Sequence, residues 1–255
     1  MSRTLRLTLY LFLALLGLFL ASAISNPLLG KSIFLLFCLI AACLEYRRED
    51  SALFPFFPKH PLSSLLFFPL LFGVTVGVSA LTALLFPSLA PSEVPALSYQ
   101  SLLASALFPA VAEEMLFRFL ALSLLLPFGK GRAVLISALL FALFHQSFYQ
   151  MPYAFGAGAV LGMAALYSDS FGLPFALHLC NNLLSLLLGD RLTLPIALLF
   201  ILAGAAAGIL LLFLYRRESK QECPPTSIRP ATLFPLLPYA VYCLTMAILQ
   251  LFTLS

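Results

Sequence analysis

Three apolar stretches hold ionisable or amide side chains at helical spacing: 99–126 carries Glu113, Glu114 and Arg118, 132–150 carries His145, and 171–188 carries His178, Asn181 and Asn182. An ionisable group at the centre of a bilayer-spanning helix costs roughly 2.5–3.5 kcal/mol on insertion scales, so such residues mark function by default. Glu114 and Arg118 stand at i and i+4, share one helix face and can form an ion pair. Glu113 is turned about 100° away from Glu114 on the same helix. It is therefore the carboxylate left free to serve as a general base. A structural charge cluster tying helices together accounts for these three residues equally well. His178 and Asn182 also share a face, so Asn182 can orient His178 or donate to the same bound group. Two histidines on separate helices, with two glutamates on a third, favour a pocket over packing. At ~1.5 Å per residue, Glu113 and His145 each lie about 20 Å from their cytoplasmic helix ends, and His178 and Asn182 roughly 10–16 Å. The four can meet if the short third stretch tilts.

Such a pocket suits two chemistries. In one, Glu113, His145 and His178 hold zinc, which acidifies a bound water for peptide hydrolysis. In the other, Glu113 and His145 activate water directly, and His178 and Asn182 stabilise the oxyanion. The chain has no His-Glu-x-x-His motif, so the common zinc-protease helix is absent. Spacing alone leaves both chemistries open.

The elements that must position these residues are membrane helices. Of 255 residues, 62% are apolar and 9% charged, and the mean hydropathy is +1.05. A water-facing surface needs nearer 25% charged residues, so a soluble domain is excluded. Apolar stretches long enough to span ~30 Å as helix fall at 5–24, 28–45, 62–86, 99–126, 132–150, 152–168, 171–188, 192–215 and 232–253. The expected fold is an all-α polytopic membrane bundle of about eight to nine transmembrane helices. With the N-terminus cytoplasmic and sides alternating, eleven of the 14 basic residues fall inside, only Lys31 and Arg191 fall outside, and Arg118 lies within a span. That asymmetry is the positive-inside pattern. Arg3 and Arg6 before the apolar run 7–20, with Ala21-Ser22-Ala23 after it, also resemble a signal peptide. An uncleaved first span is the expectation, because the run is long for a signal peptide's apolar region.

The Pro-containing stretch 53–61 reads as interfacial, and 216–230 as the one polar loop. Gly158-x-x-x-Gly162 permits close helix approach. The five cysteines (Cys38, Cys43, Cys180, Cys223, Cys243) contain no CxxC pair and read as small packing residues. The net charge of +4 is scattered, so no nucleic-acid partner is expected.

Three short patterns together carry a resemblance. Glu113-Glu114-Met115-Leu116-Phe117-Arg118 fits E-E-x-x-x-R, Phe141-Ala142-Leu143-Phe144-His145 fits F-x-x-x-H, and His178-Leu179-Cys180-Asn181-Asn182 fits H-x-x-x-N. Their order and spacing resemble the CAAX protease and bacteriocin-processing family, also called the Abi family of intramembrane proteases. The turn Ser168–Pro174 resembles the family's polar turn before its last motif. The resemblance covers roughly 99–190, dividing the chain into 1–98, a core at 99–190, and 191–255.

It implies Glu113 as catalytic base, His145 acting with it on water, and His178 and Asn182 as oxyanion donors or metal ligands. Arg118 would be structural and paired with Glu114. Members have been described both as metalloproteases and as glutamate-type proteases, so zinc stays open. Eukaryotic members cut prenylated CAAX tails; bacterial members are linked to peptide maturation, bacteriocin self-immunity and regulation. The expectation is thus an intramembrane endopeptidase acting on a membrane-associated peptide or protein, in a bacterial inner membrane. A non-catalytic immunity or scaffold member of the family and an ion-coupled transporter are the alternatives. Against the transporter, no paired interrupted segments occur in two matching halves.

Overall fold

A computed structural model describes residues 1–48, 55–89, 97–188, 191–218 and 230–253. Among the described residues every regular element is helical. α1 (Arg3–Ser22) and α2 (Pro27–Tyr46) form a hairpin, with Asn26 capping α2 just ahead of Pro27. α3 (Phe67–Leu85) follows a single turn at Pro61–Ser64. α4 is a composite run over 99–128. Then come α5 (Lys130–Phe144), α6 (Gln150–Ser168), α7 (Gly172–Leu188), α8 (Leu194–Glu218) and α9 (Leu237–Thr253).

Each of the nine apolar stretches is therefore helical. Five helical segments are long and apolar enough to cross a membrane: Arg3–Ser22, Pro27–Tyr46, Pro61–Leu85, Leu194–Leu214 and Phe234–Phe252. Gly172–Leu188 is a shorter apolar helix. The protein is a multi-pass helical membrane bundle. The four segments outside the set of five are α4 to α7, those that carry the polar residues and the helix between them. α5 has 15 residues and α7 has 17, below the ~20 that a full crossing needs. α6 is diluted by Gln150, Pro152, Tyr153 and three glycines.

α4 is broken by its own sequence. Ser98 and Ser101 open it with reciprocal capping hydrogen bonds. Pro109 has no N–H and its ring crowds the carbonyl four residues earlier. The helix accommodates it with a π-helical stretch at Leu102–Leu107, returns to α geometry over Phe108–Glu114, then widens again into π geometry at Met115–Leu122. Irregular backbone at membrane depth is tolerated only when buried in protein. α4 satisfies this: it packs against α1, α2, α5, α6 and α7, and Leu116, Phe117 and Leu120 are fully buried. α8, by contrast, exposes Leu194, Leu199, Leu202 and Phe213, the surface a lipid-facing helix presents.

The described part of the 53–61 stretch, 55–61, is more than a surface segment (53 and 54 lie outside the described residues). Its backbone is hydrogen-bonded to the α6–α7 turn, Phe171 N to Pro55 O at 2.8 Å, Gly172 N to Phe56 O at 3.0 Å and Lys59 N to Ser168 O at 2.8 Å. Lys59 also pairs with Asp169, which ends α6 in the left-handed conformation. Ser170 caps α7 by accepting from the Gly172 and Leu173 amides. Arg6, read from sequence as a cytoplasmic flank, is buried and paired with Glu45 of α2 at 3.4 Å; the Tyr10 hydroxyl donates to the same carboxylate at 2.9 Å. Cys38 and Cys243 are buried, Cys180 is half-buried, and Cys43 is exposed rather than packed. α8 continues to Glu218, so the 216–230 tract begins inside a helix; 219–229, Cys223 among them, lie outside the described residues.

Candidate active site

The two adjacent glutamates of α4 have opposite surroundings. Glu114 is fully buried. Its Oε1 lies 3.1 Å from Arg118 Nη1 and 2.7 Å from His178 Nδ1. The Glu113 side chain remains 13% exposed, and its nearest basic group is His178 Nε2 at 3.8 Å, beyond hydrogen-bond reach. One carboxylate is committed to the scaffold and its neighbour is not.

Arg118 is 1% exposed. Besides Glu114 it donates from Nη2 to Gly158 O at 3.3 Å, and its guanidinium carbon lies 4.4 Å above the Phe141 ring centroid. That fork needs α6 close to α5. A Cβ on Gly158 would stand 3.0 Å from Ala138 Cα and 3.1 Å from Phe141 Cδ1; one on Gly162 would stand 3.3 Å from Val134. The Gly158-x-x-x-Gly162 face is thus where α5 and α6 meet, and the absent side chain at 158 bares the carbonyl that Arg118 uses.

His178, in the second turn of α7, contacts both glutamates. It is oriented by Glu114 and not by Asn182. The Asn182 amide instead donates to Ala106 O at 3.4 Å, in the first π-helical stretch of α4. Asn181 faces α3, where its amide oxygen accepts from the Thr75 hydroxyl at 3.0 Å. His145 caps the C-terminus of α5, with Nδ1 2.9 Å from Phe141 O. That contact uses one ring nitrogen and leaves Nε2 available. The structure thus sets Arg118, His145 and His178 around one ring, Phe141, whose centroid lies 4.8 Å from that of His145 and 5.8 Å from that of His178, and Glu113 and Glu114 both meet that His178. Tyr153 of α6 stands beyond His145, ring centroids 6.4 Å apart.

Sequence reasoning treated Phe141 only as a position in a pattern. Its signal was the i,i+4 spacing to His145, the same rule that paired Glu114 with Arg118. The α1–α2 cluster around Glu45 was missed as well, since Arg6 and Glu45 sit at helix ends where charges are ordinary.

No group of three His, Cys, Asp or Glu side chains among the described residues is arranged to hold a metal ion. A zinc centre takes three protein ligands at about 2.0–2.2 Å, and Glu113, His145 and His178 as placed do not fit one.

Residues 95–184 match the family model described as Rce1-like, type II CAAX prenyl endopeptidase Rce1-like. That model describes the CAAX-protease and bacteriocin-processing family, and the matched stretch holds all three motifs. No curated protein and no solved structure matches the chain.

Proposed function

We propose that the protein is an intramembrane endopeptidase that hydrolyses a peptide bond of a membrane-associated peptide or protein, with 99–190 as its catalytic core between the flanking segments 1–98 and 191–255. The observation that carries this is the asymmetry of Glu113 and Glu114. Glu114 is held by Arg118 and His178, whereas Glu113 beside it is 13% exposed and meets only His178 Nε2, at 3.8 Å. A purely structural cluster gives no reason for the second carboxylate.

In this reading a water sits between Glu113 and His145. Glu113 takes its proton, His145 Nε2 fixes its orientation, and the oxygen attacks the scissile carbonyl carbon. The carbonyl oxygen becomes an oxyanion. His178 in its doubly protonated form donates from Nδ1 to Glu114 and from Nε2 to the oxyanion, and the Asn182 amide turns from Ala106 O to the same oxygen. Glu113 then returns its proton to the leaving amine, which releases two peptides. No step runs through a metal. The positive-inside asymmetry supports a cytoplasmic N-terminus, and a bacterial inner membrane is the setting proposed with it.

The test uses purified protein in liposomes with internally quenched peptides, one ending in a farnesylated CAAX sequence and one unprenylated with an apolar tail. Cleavage of either, located by mass spectrometry and lost in folded Glu113→Ala, is the expected result. A folded Glu113→Ala that cleaves at the wild-type rate refutes the assignment.

A further inference from the structure

The geometry points to Phe141 as the positioning residue of the site. This rests on the proposed endopeptidase reading for its catalytic consequence, but its structural basis is independent. Phe141 is 2% exposed. Its ring face carries the Arg118 guanidinium at 4.4 Å. Its ring meets His145 in a T-shaped arrangement at 79° and His178 at 88°, and Phe117 at 75° from α4. Its backbone oxygen holds His145 Nδ1.

A single side chain on α5 therefore touches the cation on α4 and both histidines, on α5 and α7. Aromatic pairs prefer edge-to-face contact because the ring edge is positive and its face negative, and a cation over the face is held by the same quadrupole. With Phe141 in place, Arg118 cannot drift from Glu114 without leaving the ring face. His178 is confined between Glu114 and that ring, and His145 between the ring and its own helix end. An aliphatic residue of similar volume would fill the space and orient none of these groups.

The chain has three histidines, and the third, His60, is exposed in the 55–61 stretch and contacts Tyr167 instead. It serves as an internal reference. Full-length protein in detergent is treated with diethyl pyrocarbonate, and modification at each histidine is followed by mass spectrometry in wild type, Phe141→Leu, and a variant with trifluorophenylalanine at 141. The fluorinated ring keeps its shape and loses its negative face. Expected is faster modification of His145 and His178 in Phe141→Leu with His60 unchanged, and a smaller acceleration in the fluorinated protein. In the cleavage assay both variants should lose kcat at near-constant KM, by about two- to thirty-fold, the span of cation–π contacts from exposed to desolvated sites.

Wild-type reactivity of His145 and His178 in Phe141→Leu overturns the proposal. Should Phe141→Leu unfold, shown by loss of its cooperative thermal unfolding transition, the fluorinated protein decides, and wild-type reactivity there overturns it. Selective acceleration of His145 and His178 in a protein that cleaves neither peptide leaves the positioning role standing and refutes the endopeptidase reading.

Discussion

Removing the Glu114 carboxylate is the sharpest test of how the site is held. Glu114 and Arg118 are 0% and 1% exposed, so Glu114→Ala strands a guanidinium that has no route to water. Breaking a buried pair by deleting one partner costs about 3–5 kcal/mol, because the remaining charge keeps its desolvation penalty. For a chain of this size a loss of 1 kcal/mol lowers Tm by roughly 2–4 °C, so the expected drop is about 6–20 °C. Glu114 Oε2 and both Nε and Nη1 of Arg118 have no hydrogen-bond partner among the described residues, so Nη1 meets Glu114 Oε1 as an ion pair only. The intact pair is therefore itself poorly satisfied, and an apolar replacement of both members should be far milder than the loss of one. Glu114→Leu combined with Arg118→Met should recover most of the lost Tm while leaving His178 without its Nδ1 acceptor, and so remain inactive. Thermal unfolding of detergent-purified single and double variants, read by intrinsic tyrosine fluorescence or light scattering, measures both. A Glu114→Ala protein with wild-type Tm, or a double variant no more stable than Glu114→Ala, would show that the pair does not carry the cost assigned to it.

The neighbouring amides separate chemistry from packing. Asn182→Ala should lower kcat by about 10²–10³, the cost of losing one oxyanion donor, while Asn181→Ala, whose amide oxygen only meets Thr75, should keep most of the rate; equal losses would remove Asn182 from the mechanism. Gly158→Ala forces a methyl to 3.0 Å from Ala138 Cα, so it should cost about 1–3 kcal/mol by overpacking, read as a lower Tm. Because the placed donors do not form a metal site, peptide cleavage should survive 1,10-phenanthroline, and elemental analysis should find less than one zinc per chain in active protein; about one zinc per chain, lost in His145→Ala, would establish the metal reading instead.

The sequence made the helical class legible because 62% apolar residues in long runs admit no other backbone solution in lipid. It also located the polar residues, since a charge inside an apolar run stands out against its neighbours. The state of those helices was harder to read. The proline at 109 signals a break, but proline can be met by a kink, a bulge or a helix end, and only packing by five neighbouring helices makes two π-helical stretches tolerable here. The partner of His178 was hidden for a related reason. Asn182 was the nearest candidate along the chain, whereas Glu114 is 64 residues away and reaches His178 only after α4 and α7 pack.

The π-helical stretches bear directly on the two glutamates. Glu113 and Glu114 are the last residues of the α-helical stretch between them. In an unbroken α-helix the face that carries Glu114 and Arg118 would continue along the same stripe, and its neighbours would stack above and below it. A π turn adds a residue to each turn, so residues after Glu114 are rotated relative to those before it. This lets Leu116, Phe117 and Leu120 face the apolar core while Arg118 still turns back to Glu114. A membrane helix with one polar stripe could not bury a large apolar cluster and an ion pair on the same segment. The irregularity of α4 is thus the backbone counterpart of the split between its carboxylates, one serving the scaffold and the other left open to the pocket.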